Sequence, residues 1–90
     1  MSEAKHPDHV LGYNGTIEEL AKAVGNMNYS KTEEFIGKLA DDIKRQADDD
    51  FARGRINLAF NLYETANKLY DAKDKMNLVW KICEPFMKEK

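Results

Sequence analysis

The order of apolar and polar residues predicts helices along most of this chain. Apolar residues recur every three or four positions over residues 17–24 and 35–47, which is the spacing of a helix with one buried side. The same spacing returns over residues 56–70 and 76–83. The pattern therefore predicts an all-α protein.

Two sequence signatures predict where the first two helices begin. Thr16 with Glu19, and Ser30 with Glu33, have the spacing of a capping box, in which the hydroxyl and the glutamate each accept a backbone N–H of the other residue. Gly25 follows the first apolar run and supplies the left-handed residue that commonly ends a helix. We therefore expect a short first helix after Thr16 and a second helix after Ser30.

The phase of the apolar residues predicts a break after the second helix. At about 100° per residue, the apolar arc of residues 35–47 is centred opposite the arc of residues 56–70. One straight helix would have to bury both of its sides. We therefore expect a break at residues 48–50, with Asp49 or Asp50 capping a third helix.

A fourth helix follows from the same reasoning. The phase reverses again near "DAKDKM", which predicts a turn at about residues 71–74 with Asp74 as the cap of the next helix. Pro85 should end or kink that helix at Glu84, because proline has no N–H to donate.

Length and composition fit one small domain. The chain has 90 residues, 42% of them hydrophobic, which suffices for a single well-filled core. We expect a small four-helix bundle over residues 16–90, with a short first helix and three longer antiparallel helices. Residues 1–15 show no periodicity and should form an irregular tail and turn.

Charge and cysteine content narrow the possible partners and cellular compartments of this protein. Fourteen Lys and Arg against sixteen Asp and Glu give a net charge of −2, so no overall field attracts nucleic acid or anionic lipid. The single cysteine, Cys83, excludes an internal disulfide and a zinc site built on several cysteines. No apolar run approaches the roughly 20 residues that span a bilayer, and the N-terminus lacks the apolar core of a secretory signal. We expect a soluble, cytoplasmic protein without membrane contact.

The predicted third and fourth helices carry more apolar surface than one neighbour can cover. Apolar side chains occupy about 200° of their circumference, against a stripe of about 100° on an ordinary surface helix. Either the rest of the monomer covers the surplus, or a second copy or another protein does. The candidate anchors of such an interface are Leu58, Phe60, Trp80 and Phe86.

A helix-turn-helix over residues 17–46 is the alternative reading. Its second helix would enter a DNA groove with Glu33 and Glu34 in the first turn, where Lys or Arg should stand. The connection "GNMNYS" also looks longer than the usual three or four residues. Both features disfavour nucleic acid as a partner.

The acidic run "DDIKRQADDD" suggests a metal site or a self-neutralising helix end. It lacks the central glycine and final glutamate of an EF-hand loop. Pairs of Asp41 with Arg45, and of Asp49 and Asp50 with Arg53, have the spacing of ion pairs on one helix face. We therefore expect ion pairs and no metal site here.

Candidate catalytic groups are few. His6 and His9 flank Asp8 in the tail, where metal binding would be adventitious. Both histidines are far from Cys83 in the sequence, and apolar neighbours should raise the pKa of its thiol.

These observations predict a protein that is not an enzyme and needs no cofactor. We expect it to act through protein–protein interaction, as an adaptor, inhibitor or regulatory subunit, or as a homodimer through helices three and four. The alternative is a nucleic-acid-binding regulator that uses residues 17–46.

Overall fold

The described part of the chain folds into one short helix and two long ones. The computed structural model describes residues 6–87, in which α1 is Ile17–Gly25, α2 is Tyr29–Ala52 and α3 is Ile56–Met87. The described residues contain no strand, so the all-α prediction is confirmed. The predicted four-helix bundle is wrong, because the predicted third and fourth helices are parts of one continuous helix.

The starts of α1 and α2 are capped in different ways. The Thr16 hydroxyl accepts from the Glu19 N–H at 3.0 Å, and the Glu19 carboxylate accepts from the Thr16 N–H at 2.9 Å, which confirms the first capping box. The second capping box is wrong, because α2 begins earlier. Asn28 caps it, and its side-chain oxygen accepts from the Ser30 N–H at 2.9 Å. Glu33 is thereby left to contact α3.

The end of α2 is set by Gly54. Its φ of 83° is left-handed, a conformation that glycine adopts without strain. The Gly54 N–H donates to the Phe51 carbonyl at 3.0 Å, and the Arg55 N–H donates to the Asp50 carbonyl at 2.9 Å. These two bonds form a Schellman motif, which closes α2 and turns the chain into α3.

The break predicted at residues 48–50 is therefore wrong. Asp49 and Asp50 lie inside α2, where they cannot cap α3. A break does separate the two apolar phases, but it lies at the glycine. Gly54 was the local signal that places it, because glycine is strongly enriched directly after a helix end.

The turn predicted at residues 71–74 is also wrong. These residues, including Asp74, lie inside α3, and the helix continues through Pro85 to Met87. The phase reversal has another cause, since α3 exposes apolar side chains on more than one side. Pro85 is tolerated because it stands in the last described turns, where its missing N–H removes a single hydrogen bond.

Small residues form the contact between α2 and α3. The buried apolar side chains are all alanines, spaced seven residues apart on each helix, and Gly37 is buried beside them. Small side chains let two helix axes approach to the short end of the usual 8–10 Å range. No large side chain is fully buried among the described residues. The four alanines are Ala40 and Ala47 on α2, and Ala59 and Ala66 on α3.

The molecule is flat and extended. Its dimensions are 52 × 29 × 14 Å, and its radius of gyration is 16.1 Å, against about 12 Å for a compact domain of this length. α1 lies beside α2, where the Thr32 hydroxyl donates to the Val24 carbonyl at 2.9 Å, and α1 does not approach α3. Residues 6–15 are irregular, with a turn at residues 11–12, while residues 1–5 of the predicted tail lie outside the described residues. The fold is therefore one layer of helices.

Candidate protein interface

One side of the hairpin is fastened by hydrogen bonds between tyrosine and aspartate. The Tyr63 hydroxyl donates to the Asp48 carboxylate, and the Tyr70 hydroxyl donates to Oδ1 of Asp41 at 2.5 Å. The donors are seven residues apart on α3 and the acceptors seven apart on α2, so the contact recurs once per heptad along two antiparallel helices. The bonded carboxylate raises the pKa of Tyr63 and of Tyr70, because it favours the neutral hydroxyl. We call this side the tyrosine face.

A third polar contact continues the tyrosine face toward the end of α3. Glu33 accepts from the Asn77 amide at 3.1 Å and lies 3.5 Å from Nζ of Lys73. Gly37 leaves room for that lysine, since a Cβ at this position would lie 2.9 Å from its Cδ. The cleft of about 340 Å³ beside these residues is lined by charges of both signs, of which Lys73 and Glu33 pair across the hairpin. We therefore assign this cleft to the stability of the hairpin.

The opposite side of the hairpin carries a second row of side chains on each long helix. Ala66 is buried against α2. At about 100° per residue, Leu62 and Leu69 lie on one side of Ala66, and Tyr63 and Tyr70 lie on the other. Because Tyr63 and Tyr70 bond to Asp48 and Asp41, these tyrosines and aspartates lie on the same side of the hairpin. The side of α3 that carries Leu62 and Leu69 therefore faces the same direction as the side of α2 that points away from these aspartates.

We call this second side the open face. Its positions alternate between spacings of three and four residues, which is the heptad pattern of a helix-packing seam. None of its side chains is buried, and Leu39 and Leu58 are 41% and 49% exposed. Its α2 row is Thr32, Ile36, Leu39, Ile43, Gln46 and Asp50, and its α3 row is Leu58, Leu62, Thr65, Leu69, Ala72, Met76, Val79 and Cys83.

α1 leaves the groove between the two rows uncovered. It packs beside the start of α2, through Val24 and Thr32, and stays away from α3. Leu20 and Val24 are half-buried there, while Ile17 is 60% exposed. Among the three helices, α1 therefore contacts the open face only near Thr32.

The four predicted anchors do not lie on one surface. Leu58 belongs to the open face, whereas Phe60, two residues later and 62% exposed, lies about 200° away on the side of the tyrosine face. Trp80 is half-buried, two heptads after Ala66 on the side of α3 that faces α2. Phe86 is 70% exposed near the end of α3. Leu58 and Phe60 therefore cannot anchor the same partner surface, and the role of each of the four residues as an anchor stays a prediction.

Sequence reasoning missed most of the open face. Ile36, Leu39 and Ile43 belong to the apolar run of residues 35–47, which predicts one buried side, and the turn predicted at residues 71–74 would interrupt the row on α3. The missed signal was the unbroken alternation of three- and four-residue spacings through that region.

Arginines pair with three of the five aspartates in the acidic run of α2. Arg45 lies between Asp42 and Asp49, at 3.0 and 3.3 Å, and Arg55 contacts Asp50 at 2.7 Å. The hydrogen bond from Arg45 lowers the pKa of Asp42. None of the three predicted pairs is among the ion pairs of residues 6–87, because the helix and its turn set different partners.

One geometric feature agrees with the helix-turn-helix alternative. α1 and α2 are joined by three residues, 26–28, so the connection is shorter than the sequence suggested and matches such units in length. The charge objection remains. Lys31 lies 3.4 Å from Glu34, so the first cation of α2 is paired with a carboxylate.

The remaining candidate groups are dispersed. Nδ1 of His9 lies 3.3 Å from Oδ1 of Asp8, and Cys83 is a free, half-buried thiol on α3. No group of three or more His, Cys, Asp or Glu within the described residues is placed to hold a metal ion. In the same part of the chain, no helix is both long enough and apolar enough to span a membrane.

Comparison with known proteins gives no relative for this chain. No protein-family model matches it, and neither curated proteins nor solved structures show significant similarity. Function is therefore inferred from geometry and chemistry.

Proposed function

We propose that this chain works by binding protein, as an adaptor, inhibitor or regulatory subunit, and not as an enzyme. The proposal is carried by the open face, where two heptad rows along the hairpin contain no buried side chain and Leu39 and Leu58 are exposed. Burying a large aliphatic side chain contributes about 1.5–3 kcal/mol. A protein that covers these rows would gain much of its binding free energy from them.

Charge supports a protein partner over a polyanion. Asp50 is the one acidic or basic residue in the two rows, and its carboxylate contacts Arg55 at 2.7 Å. A nucleic acid would gain affinity from clustered Lys and Arg, which the open face lacks. An apolar surface with little charge suits another apolar protein surface.

A cytoplasmic setting is part of this proposal. It is supported by Cys83, the single cysteine, which carries a free thiol. Free thiols persist in reducing compartments.

Two double variants test the proposal. Leu39→Gln with Leu58→Gln removes two exposed leucines of the open face. Phe60→Gln with Leu78→Gln removes two comparably exposed residues, 62% and 48%, from the other side of α3. Each tagged chain is purified from its own cells, and its bound proteins, including untagged copies of itself, are quantified.

We expect the amount of protein bound to the open-face variant to fall by at least about tenfold, because two apolar contacts are lost. The control variant should keep it, and circular dichroism should give the same helicity for both. An open-face variant that holds the same proteins as strongly as the wild type contradicts the proposal.

A further inference from the structure

We infer that the open face binds the open face of a second copy of this chain, so that two hairpins stack into a symmetric dimer. This inference rests on the proposed function, since it names the first protein that the open face binds.

Both long helices are built to touch two neighbours. A helix with one neighbour needs one apolar stripe, whereas a helix inside a bundle needs a wider one. α3 carries Ala66 toward α2 and, beside it, the row that contains Leu62 and Leu69. α2 likewise carries Ala40 toward α3, with Ile36 and Ile43 on the open side. The hairpin itself provides only one of the two neighbours.

The lengths of the two rows indicate the shape of the partner that would cover the open face. At about 1.5 Å per residue, the row from Leu58 to Cys83 is about 38 Å long and the row from Thr32 to Asp50 about 27 Å. A pair of antiparallel helices of these lengths covers both rows, and this chain's own hairpin is such a pair. A single helix in the central groove would leave out Leu39, which lies farther from that groove.

Two-fold symmetry aligns the two hairpins. A two-fold axis parallel to the helices places α2 of one copy over α3 of the other in antiparallel orientation. The same surface is then buried on both copies. Since Asp50, the one charged residue in the rows, pairs with Arg55 of its own chain, self-association brings no unpaired like charges together.

The area reaches that of a small specific interface. Two helices, each about 10 Å wide and facing the partner over the roughly 27 Å of the α2 row, give about 540 Å² per copy, or about 1,100 Å² in total, against the ~1,000 Å² that a specific interface should bury. A second layer about 10 Å away would also turn a molecule only 14 Å thick into an ordinary two-layer domain.

Sedimentation equilibrium of the purified chain at micromolar concentration tests the inference. We expect twice the 10.4 kDa mass of one chain. Leu39→Gln with Leu58→Gln should raise the dissociation constant by about 100-fold or more, since each substitution acts on both copies. Phe60→Gln with Leu78→Gln should leave it unchanged. A monomeric wild type overturns the inference.

A measurement on the wild type alone covers the case in which the open-face variant does not fold. Isotope-filtered NMR of mixed labelled and unlabelled chains should give contacts between methyl groups of Ile36, Leu39, Leu58 and Leu69 and the other copy. Intermolecular contacts that come instead from Phe60 and its side of α3 would overturn the inference.

Failure of the inference and failure of the proposed function give different results. A monomeric wild type that holds another protein, and loses it in the open-face variant, removes the dimer and leaves the proposed function standing. A dimer that dissociates in the Phe60 and Leu78 variant, and persists in the open-face variant, removes both.

Discussion

At the scale of single residues, the hairpin is held by hydroxyl groups that reach across to carboxylates. Tyr63 and Tyr70 each donate to an aspartate of α2 from a half-exposed position. A hydrogen bond to an ionised acceptor is shorter and stronger than one between neutral groups. The two contacts are consistent with a single register of the antiparallel helices, because the donors and the acceptors are each seven residues apart.

The raised pKa of both tyrosines predicts a loss of stability at high pH. Each tyrosine contributes its full stabilisation below its unfolded pKa of about 10, and loses it as pH rises through the higher folded value. Urea unfolding should therefore give a free energy of unfolding that falls above about pH 10. Tyr63→Phe with Tyr70→Phe should remove this part of the fall.

Tyr29→Phe is the control for that measurement, because Tyr29 lies outside the tyrosine–aspartate contacts. Lysines also titrate near this pH. The test is therefore the difference between the wild type and the tyrosine variants in how far the free energy of unfolding falls. An equal fall in wild type and double variant would show that the two hydrogen bonds add nothing.

At the scale of elements, α2 and α3 depend on small residues where they meet. Ala47 and Ala59 are fully buried, with 0% exposure, although their side chains are single methyl groups. Larger residues there would push the helices apart and lengthen the tyrosine–aspartate contacts. The Gly54 turn adds to this constraint, since it fixes how closely α3 returns alongside α2.

Ala47→Leu should therefore destabilise the hairpin by about 1–3 kcal/mol, the usual cost of inserting methylenes into a close contact. Ala52→Leu is the control, because Ala52 is exposed at the end of the same helix. Chemical denaturation measures both variants. Equal stability of Ala47→Leu and the wild type would contradict the close alanine contact.

The sequence predicted part of the elements and little of the candidate site. The capping box at Thr16 is local, and the structure confirms it. The end of α2 is also local, and Gly54 would have predicted it. The continuity of α3 cannot be predicted from local sequence. A change in the direction of the apolar side indicates a break only if the helix buries a single side. α3 has α2 on one side and the open face on another.

At the scale of the whole molecule, burial is incomplete. A domain usually consists of at least two packed layers around a core of large side chains. This hairpin is one layer with an alanine core. Association would therefore supply hydrophobic stabilisation that the single chain lacks.

The melting temperature should accordingly rise with protein concentration, because association stabilises the folded chain by mass action. Leu39→Gln with Leu58→Gln should melt at a lower temperature that no longer depends on concentration. Differential scanning calorimetry over a wide concentration range measures both. A wild-type melting temperature that stays constant over that range would contradict stabilisation by a second copy.

The sequence by itself determined the helical class, the start of α1 and the surplus of apolar surface, because these depend on spacing and on neighbours within one turn. Only the tertiary structure decided that α3 is continuous, that Glu33 contacts α3 and that the alanines form the buried contact. It also decided that Leu58 lies on the open face and Phe60 on the side of the tyrosine face. The physical reason is that periodicity states which residues share a helix face, and only the position of a second helix decides which face is covered.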